Sequence, residues 1–188
     1  MNRPPEFVLD TVVEPTFAKD VVKAILAAIF FHRLFPSIRP KTRDLLDLTL
    51  PSVDDSELDA LIENRTSSMI RSVESTPGAS SAKTQIAVQF FEKKQKRKAW
   101  FSTKDEEVCW EQWLLDITLL YPRTESQRTE ARKDMESALQ LAILKIIDIV
   151  NNNKDHIPPI TTSDYNPFPY KIFVPQKGDN WGGRFFST

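Results

Sequence analysis

The spacing of apolar positions changes several times along this chain, and each change marks an element. Positions 7–13 are rich in β-formers and stop at Glu14-Pro15, after which Phe17, Val21, Ile25 and Ile29 fall at helical spacing. This predicts a strand followed by a helix. The run Ala24-Ile25-Leu26-Ala27-Ala28-Ile29-Phe30-Phe31 is apolar on nearly every side, so the helix should be a buried central element. Pro36 and Pro40 break the pattern, and 45–50 reads as one short strand. Asp54-Asp55-Ser56-Glu57 then supplies capping side chains and first-turn acids for a second helix through about Val73. Ser75-Thr76-Pro77-Gly78-Ala79-Ser80-Ser81 is a connector by composition.

From Thr84 the period shortens to two, with Ile86, Val88 and Phe90 on one face, and it resumes over 109–121 with Trp113, Leu115, Ile117 and Leu119 in phase. The two runs predict a long hairpin. Thr124-Glu125-Ser126-Gln127 matches a capping box, and apolar positions from Ala131 to Val150 continue a helix of about seven turns that stops at Asn151-Asn152-Asn153. Pro158, Pro159, Pro167 and Pro169 keep the next segment extended until one short β run, Tyr170-Lys171-Ile172-Phe173-Val174. Trp181-Gly182-Gly183 reads as loosely structured. The pattern amounts to an α+β fold in one domain over 1–188, with 153–188 as a short C-terminal extended segment.

The predicted hairpin tip carries the least expected residues. Lys93-Lys94-Gln95-Lys96-Arg97-Lys98-Ala99-Trp100-Phe101 is a basic run ending in two adjacent aromatics. Each ring could bury roughly 150–250 Å², worth about 1.5–3 kcal/mol, and a turn leaves much of that unused. Either the pair folds back on its own domain, or it is an anchor for a partner, since Trp is enriched among binding hot spots.

Composition narrows the field. The 188 residues are 40% apolar, enough for one domain with a real core, and the 27% that are charged nearly cancel to a net −1. Binding to nucleic acid or anionic lipid would therefore have to be local. Five positive charges within six residues beside stacking aromatics could grip a single strand or an anionic membrane. However, Asp105-Glu106-Glu107 lies close enough to neutralise them across the hairpin. The single cysteine, Cys109, rules out an internal disulfide framework, fits a reducing compartment, and reads as a core thiol in a strand. No secretion signal is legible at the N-terminus, and the longest apolar run, 24–31, falls far short of the ~20 residues that cross a bilayer, so a cytoplasmic protein is expected.

Catalytic chemistry finds no foothold. The two histidines, His32 and His156, are distant from each other and from Cys109 in sequence, so no metal site is expected. The four glycines form no phosphate loop or dinucleotide turn, and there is no GxSxG elbow. Acidic pairs such as Asp54-Asp55 and Glu106-Glu107 read as capping or solvated groups. No enzyme and no cofactor are expected.

The order strand, apolar helix, second helix, long hairpin, third helix and extended C-terminal segment resembles a HORMA domain, mainly an antiparallel sheet with three helices. Six strings narrow the likeness: Ile29-Phe30-Phe31-His32-Arg33, Asp55-Ser56-Glu57-Leu58-Asp59, Val88-Gln89-Phe90-Phe91-Glu92-Lys93-Lys94, Trp100-Phe101-Ser102, Trp110-Glu111-Gln112-Trp113 and Pro169-Tyr170-Lys171-Ile172. Together they resemble the single-domain HORMA subunit of the autophagy-initiation kinase complex, over nearly the whole chain. The resemblance implies a non-enzymatic adaptor that pairs with and stabilises the HORMA domain of the larger regulatory subunit, acting in the cytoplasm at the phagophore assembly site. It implies that Trp100 and Phe101 form a finger recruiting downstream autophagy factors, although the animal members place a proline between the two aromatics. His32 and Arg33, like the family's His-Arg at the end of the first helix, become candidates for the partner interface; positive charge stabilising a helix C-terminus is the alternative. Compared with the peptide-clasping HORMA proteins of the mitotic checkpoint, the segment after Asn152 is short, which implies an open-like state without belt-type peptide capture.

Overall fold

The computed structural model describes residues 3–35, 38–73, 80–96, 104–161 and 166–174. Its elements run β1 (Glu6–Val13), α1 (Pro15–Arg33), β2 (Pro40–Leu45), β3 (Leu48–Val53), α2 (Ser56–Val73), β4 (Ser81–Lys96), β5 (Lys104–Leu120), α3 (Glu125–Asn152) and β6 (Tyr170–Phe173). Four strands form a mixed sheet in the order β1-β5-β4-β6, and β2 and β3 form a separate ribbon. The arrangement is α+β and consistent with a HORMA-like fold.

Most of the sheet is antiparallel, as expected, but β1 runs parallel to β5, from Glu6 opposite Gln112 to Val13 opposite Leu119. A parallel pair needs a long connection, and everything from α1 to β4 supplies it. The in-phase side chains Leu9, Val13, Ile86, Val88, Phe90, Trp113, Leu115, Ile117 and Leu119 enter the core from the sheet. Helix α1 meets them and also packs against α2, α3 and the β2–β3 ribbon, which is why its apolar run has almost no solvent face. Pro15 starts α1 where a missing N–H is harmless.

Both other helices begin as their sequences predict. Asp55 Oδ1 accepts from the backbone N–H groups of Glu57 and Leu58 at 2.9 and 3.0 Å, and Thr124 and Gln127 close a reciprocal capping box on α3. The single strand expected over 45–50 is instead a hairpin. Its two strands meet at a turn where Leu46 adopts φ 53°, in the left-handed region that favours glycine. Pro51 sits inside β3 opposite Thr42, and a two-stranded ribbon leaves each strand an outer side where a missing N–H breaks no ladder bond. Residues 181–183 lie outside the described residues. Among those described, no helix is long and apolar enough to cross a membrane.

Candidate functional site

Strands β4 and β5 outrun the rest of the sheet. β6 pairs with β4 only from Ala87 to Phe90, and β1 reaches β5 only from Gln112 onward. Beyond Phe90 and Glu111 the chain continues as a two-stranded arm, 91–96 against 104–109. The register shifts at the root of this arm: Phe90 faces Glu111 and Phe91 faces Cys109, leaving Trp110 as the extra residue of a β-bulge. The arm leads directly to 97–103. Trp100 and Phe101, with Arg97 and Lys98 of the basic run, therefore lie outside the described residues.

Acids and lysines face each other over part of the arm, and Lys96 stands opposite Lys104 at its end. Lys93 stands opposite Glu107, Lys94 opposite Glu106 and Gln95 opposite Asp105. Lys94 also pairs with Glu92 at 3.2 Å, and Lys171 of β6 reaches Glu107 at 2.5 Å while lying over the Phe91 ring.

The bulge turns two consecutive side chains inward. Trp110 packs among Phe35, Phe90, Phe168 and His156. Glu111, 0% exposed, takes the polar side of the same interior. Its carboxylate accepts Arg33 Nε at 2.8 and 2.9 Å, Trp113 Nε1 at 2.5 Å and, in the tautomer that donates from Nε2, His156 at 2.7 Å. Arg33 Nη2 in turn donates to the carbonyl of Asn153 at 3.0 Å, just past α3. A carboxylate removed from water this completely is tolerable only when donors surround it, and here three side chains do so.

The two residues singled out at the end of α1 thus part company. Arg33 is 3% exposed and turned to Glu111. His32 is half-buried, edge-on to Phe31, and its pKa is lowered by burial and then by the neighbouring guanidinium, which keeps the ring neutral.

A family model described as Autophagy-related protein 101 matches residues 10–164. A protein of that name from Arabidopsis thaliana is 31% identical, over 89% of this chain and 85% of its own length. One from Schizosaccharomyces pombe is 30% identical over 88% and 84%. The Homo sapiens protein is 22% identical over 88% and 85%.

This chain belongs to the Autophagy-related protein 101 family.

Membership gives the chain a role in autophagy, and none of the three names denotes a catalytic activity. The Autophagy-related protein 101 match contains all three helices, both arm strands and the residues that meet at Glu111; β6 lies beyond it. Neither Glu111 nor His156 stands out from local sequence as a partner of Arg33. The usable signal is that Glu111 falls in phase with Trp113, Leu115, Ile117 and Leu119, an acid where the alternation demands an apolar residue. Cys109, beside the bulge, is partly buried and donates weakly to the Glu111 carbonyl; burial pushes its thiol up to about 11, so it is a poor nucleophile at neutral pH.

A second feature that the sequence pattern does not reveal is an apolar strip on the outer side of α3. Leu141 is 66% and Leu144 55% exposed, with Ile147 next in line and Val8 of β1 exposed as well. A groove of about 590 Å³ separates this part of α3 from the sheet, lined by Asp10, Val12, Asp116, Thr118, Leu141 and Lys145. Among the described residues no cluster of three or more His, Cys, Asp or Glu is placed to hold a metal ion.

Proposed function

We propose that this chain is a non-enzymatic adaptor of autophagy initiation. It pairs as one domain with the HORMA domain of the larger regulatory subunit of the autophagy-initiating kinase complex, stabilises it, and recruits downstream factors through Trp100 and Phe101, in the cytoplasm at the phagophore assembly site. The observation that carries this reading is the arm: two strands outrun the rest of the sheet, and the chain between them contains Trp100 and Phe101. The short β6, laid directly on β4, supports an open-like state without belt-type peptide capture.

His32 is the residue of the His-Arg pair that can meet a partner, while Arg33 contributes by holding the helix end in place. The exposed Leu141 and Leu144 add apolar surface of the kind protein partners use. The second reading, a nucleic-acid or anionic-membrane binder acting through Lys93, Lys94, Lys96, Arg97 and Lys98, is disfavoured by the acids that face Lys93 and Lys94.

The test is co-purification with the partner HORMA domain and with autophagy factors, comparing wild type, Trp100→Ala/Phe101→Ala and His32→Ala. Loss of the factors with the first variant but retention of the HORMA domain separates recruitment from assembly, and reduced HORMA association with the second places His32 at the interface. Unchanged recovery of everything with Trp100→Ala/Phe101→Ala overturns the finger.

A further inference from the structure

We propose that Glu111 is the positioning residue that sets the bearing of the recruiting arm. The inference rests on the adaptor reading for its functional meaning but not for its structural test.

Three separate parts of the chain converge on one carboxylate. Arg33 comes from the end of α1, Trp113 from the sheet-bound part of β5, and His156 from the segment after α3, whose Asn153 carbonyl Arg33 also holds. Glu111 itself is the residue next to the bulge, where β5 changes from a sheet strand into half of a two-stranded arm. A two-stranded ribbon has little stiffness of its own and twists readily. Its direction is set near the root, where the Phe91 N–H of β4 donates to the Pro169 carbonyl, Lys171 reaches Glu107 of β5, and two adjacent side chains of β5 enter the interior. Trp110 wedges among Phe35, Phe90, Phe168 and His156 on the apolar side, and its contacts are weakly directional. Glu111 accepts donors from three fixed directions on the polar side, so rotating the bulge would strand a buried carboxylate. His156 joins the two sides, contacting the Trp110 ring at 5.7 Å and the Glu111 carboxylate at 2.7 Å.

An apolar residue at this position could fill the space but would leave the bulge free to swivel. The buried acid gives the arm one orientation.

The full-length chain is tested as wild type, Glu111→Gln and His156→Phe, the last keeping a ring beside Phe7 and Trp110 while removing the bond to the carboxylate. Spin labels on Lys94→Cys and Gln140→Cys, placed in a Cys109→Ser background so that the native thiol is not labelled, report the arm against α3. The expected result is a broadened label-to-label distance distribution in both variants, with amides of 106–112 exchanging about tenfold faster while those inside α3 keep their rates. A variant that lowers the melting temperature but leaves the distance distribution as narrow as wild type overturns the proposal, because that is the behaviour of a merely structural group. If Glu111→Gln fails to fold, His156→Phe decides by the same criteria. Neither measurement needs Trp100, Phe101 or a partner, so failure here is distinguishable from failure of the recruitment reading.

Discussion

Lys93 and Glu107 stand directly opposite each other on the arm, and the next two pairs, Lys94 with Glu106 and Gln95 with Asp105, keep acids facing the basic run. At these pairs the lysines are matched by acids, whereas Lys96 stands opposite Lys104. A phosphate backbone rewards only cations that are not already matched. The chain is expected to show negligible affinity for a fluorescent oligothymidine or for phosphatidylserine vesicles at physiological salt. Glu106→Gln/Glu107→Gln should create measurable, salt-sensitive binding. Tight wild-type binding that weakens steeply with salt would return the basic tip to first place.

Arg33 and Glu111 are 78 residues apart in sequence and both withdrawn from water. Removing one partner leaves the other as an uncompensated buried charge, and such losses run about 3–5 kcal/mol. Arg33→Met alone is expected to destabilise by that order in urea unfolding, whereas Arg33→Met combined with Glu111→Leu should cost clearly less than the sum of the two single changes. Additive losses would show that the two groups do not depend on each other.

Acid should weaken the fold in two stages. Burial, and secondarily Arg33, lower the pKa of His32, so below the ordinary histidine value of 6.5 the folded state holds fewer protons than the unfolded chain. That contribution is fully present above 6.5 and declines as the pH falls through it, levelling off once the folded-state ring protonates as well. Glu63, lowered by its hydrogen bonds from Lys19 and Lys23, adds a loss of the same sign at more acid pH: present above its ordinary 4.5, it disappears as the pH falls toward the folded value. Urea midpoints are expected to fall from about pH 8 to about pH 5, with a shallower slope in His32→Phe. A slope unchanged by the substitution would remove His32 as its source.

How much of this was legible beforehand depended on whether local pattern or tertiary context decides. The α1 run 24–31 is apolar on every side, so burial followed from sequence alone, and the Thr124–Gln127 box marked the start of α3 to the residue. Strand direction was another matter. Nothing in the residues of β1 says that its partner is β5 or that the pair is parallel, because that depends on the path of everything between them. The strand read over 45–50 is split by a turn at Leu46, which no residue there announces, and Pro51 is accommodated because its ribbon has only two members. Glu111 broke a period-two pattern in plain view, yet its partners arrive from 78 residues upstream and 45 downstream, beyond the reach of any local motif. Trp100 and Phe101 stood out for the opposite reason: large rings beside a basic run conflict with a turn wherever the rest of the chain goes.

The same division explains α3, whose helical period marks an apolar face without marking where it ends. Leu139 is fully buried, while Leu141 and Leu144 face outward on the same helix within two turns. Leu139→Ala should cost about 2–5 kcal/mol, from lost burial and an unfilled cavity. Leu141→Ser with Leu144→Ser should shift stability by no more than about 0.5 kcal/mol per site, since neither side chain contributes to the core. Thermal and urea unfolding of the two variants, side by side, tests the rotation of α3 about its axis. A pair of serines that unfolds the protein as severely as Leu139→Ala would mean that the helix presents a different face to the sheet, and the apolar strip would cease to be surface at all.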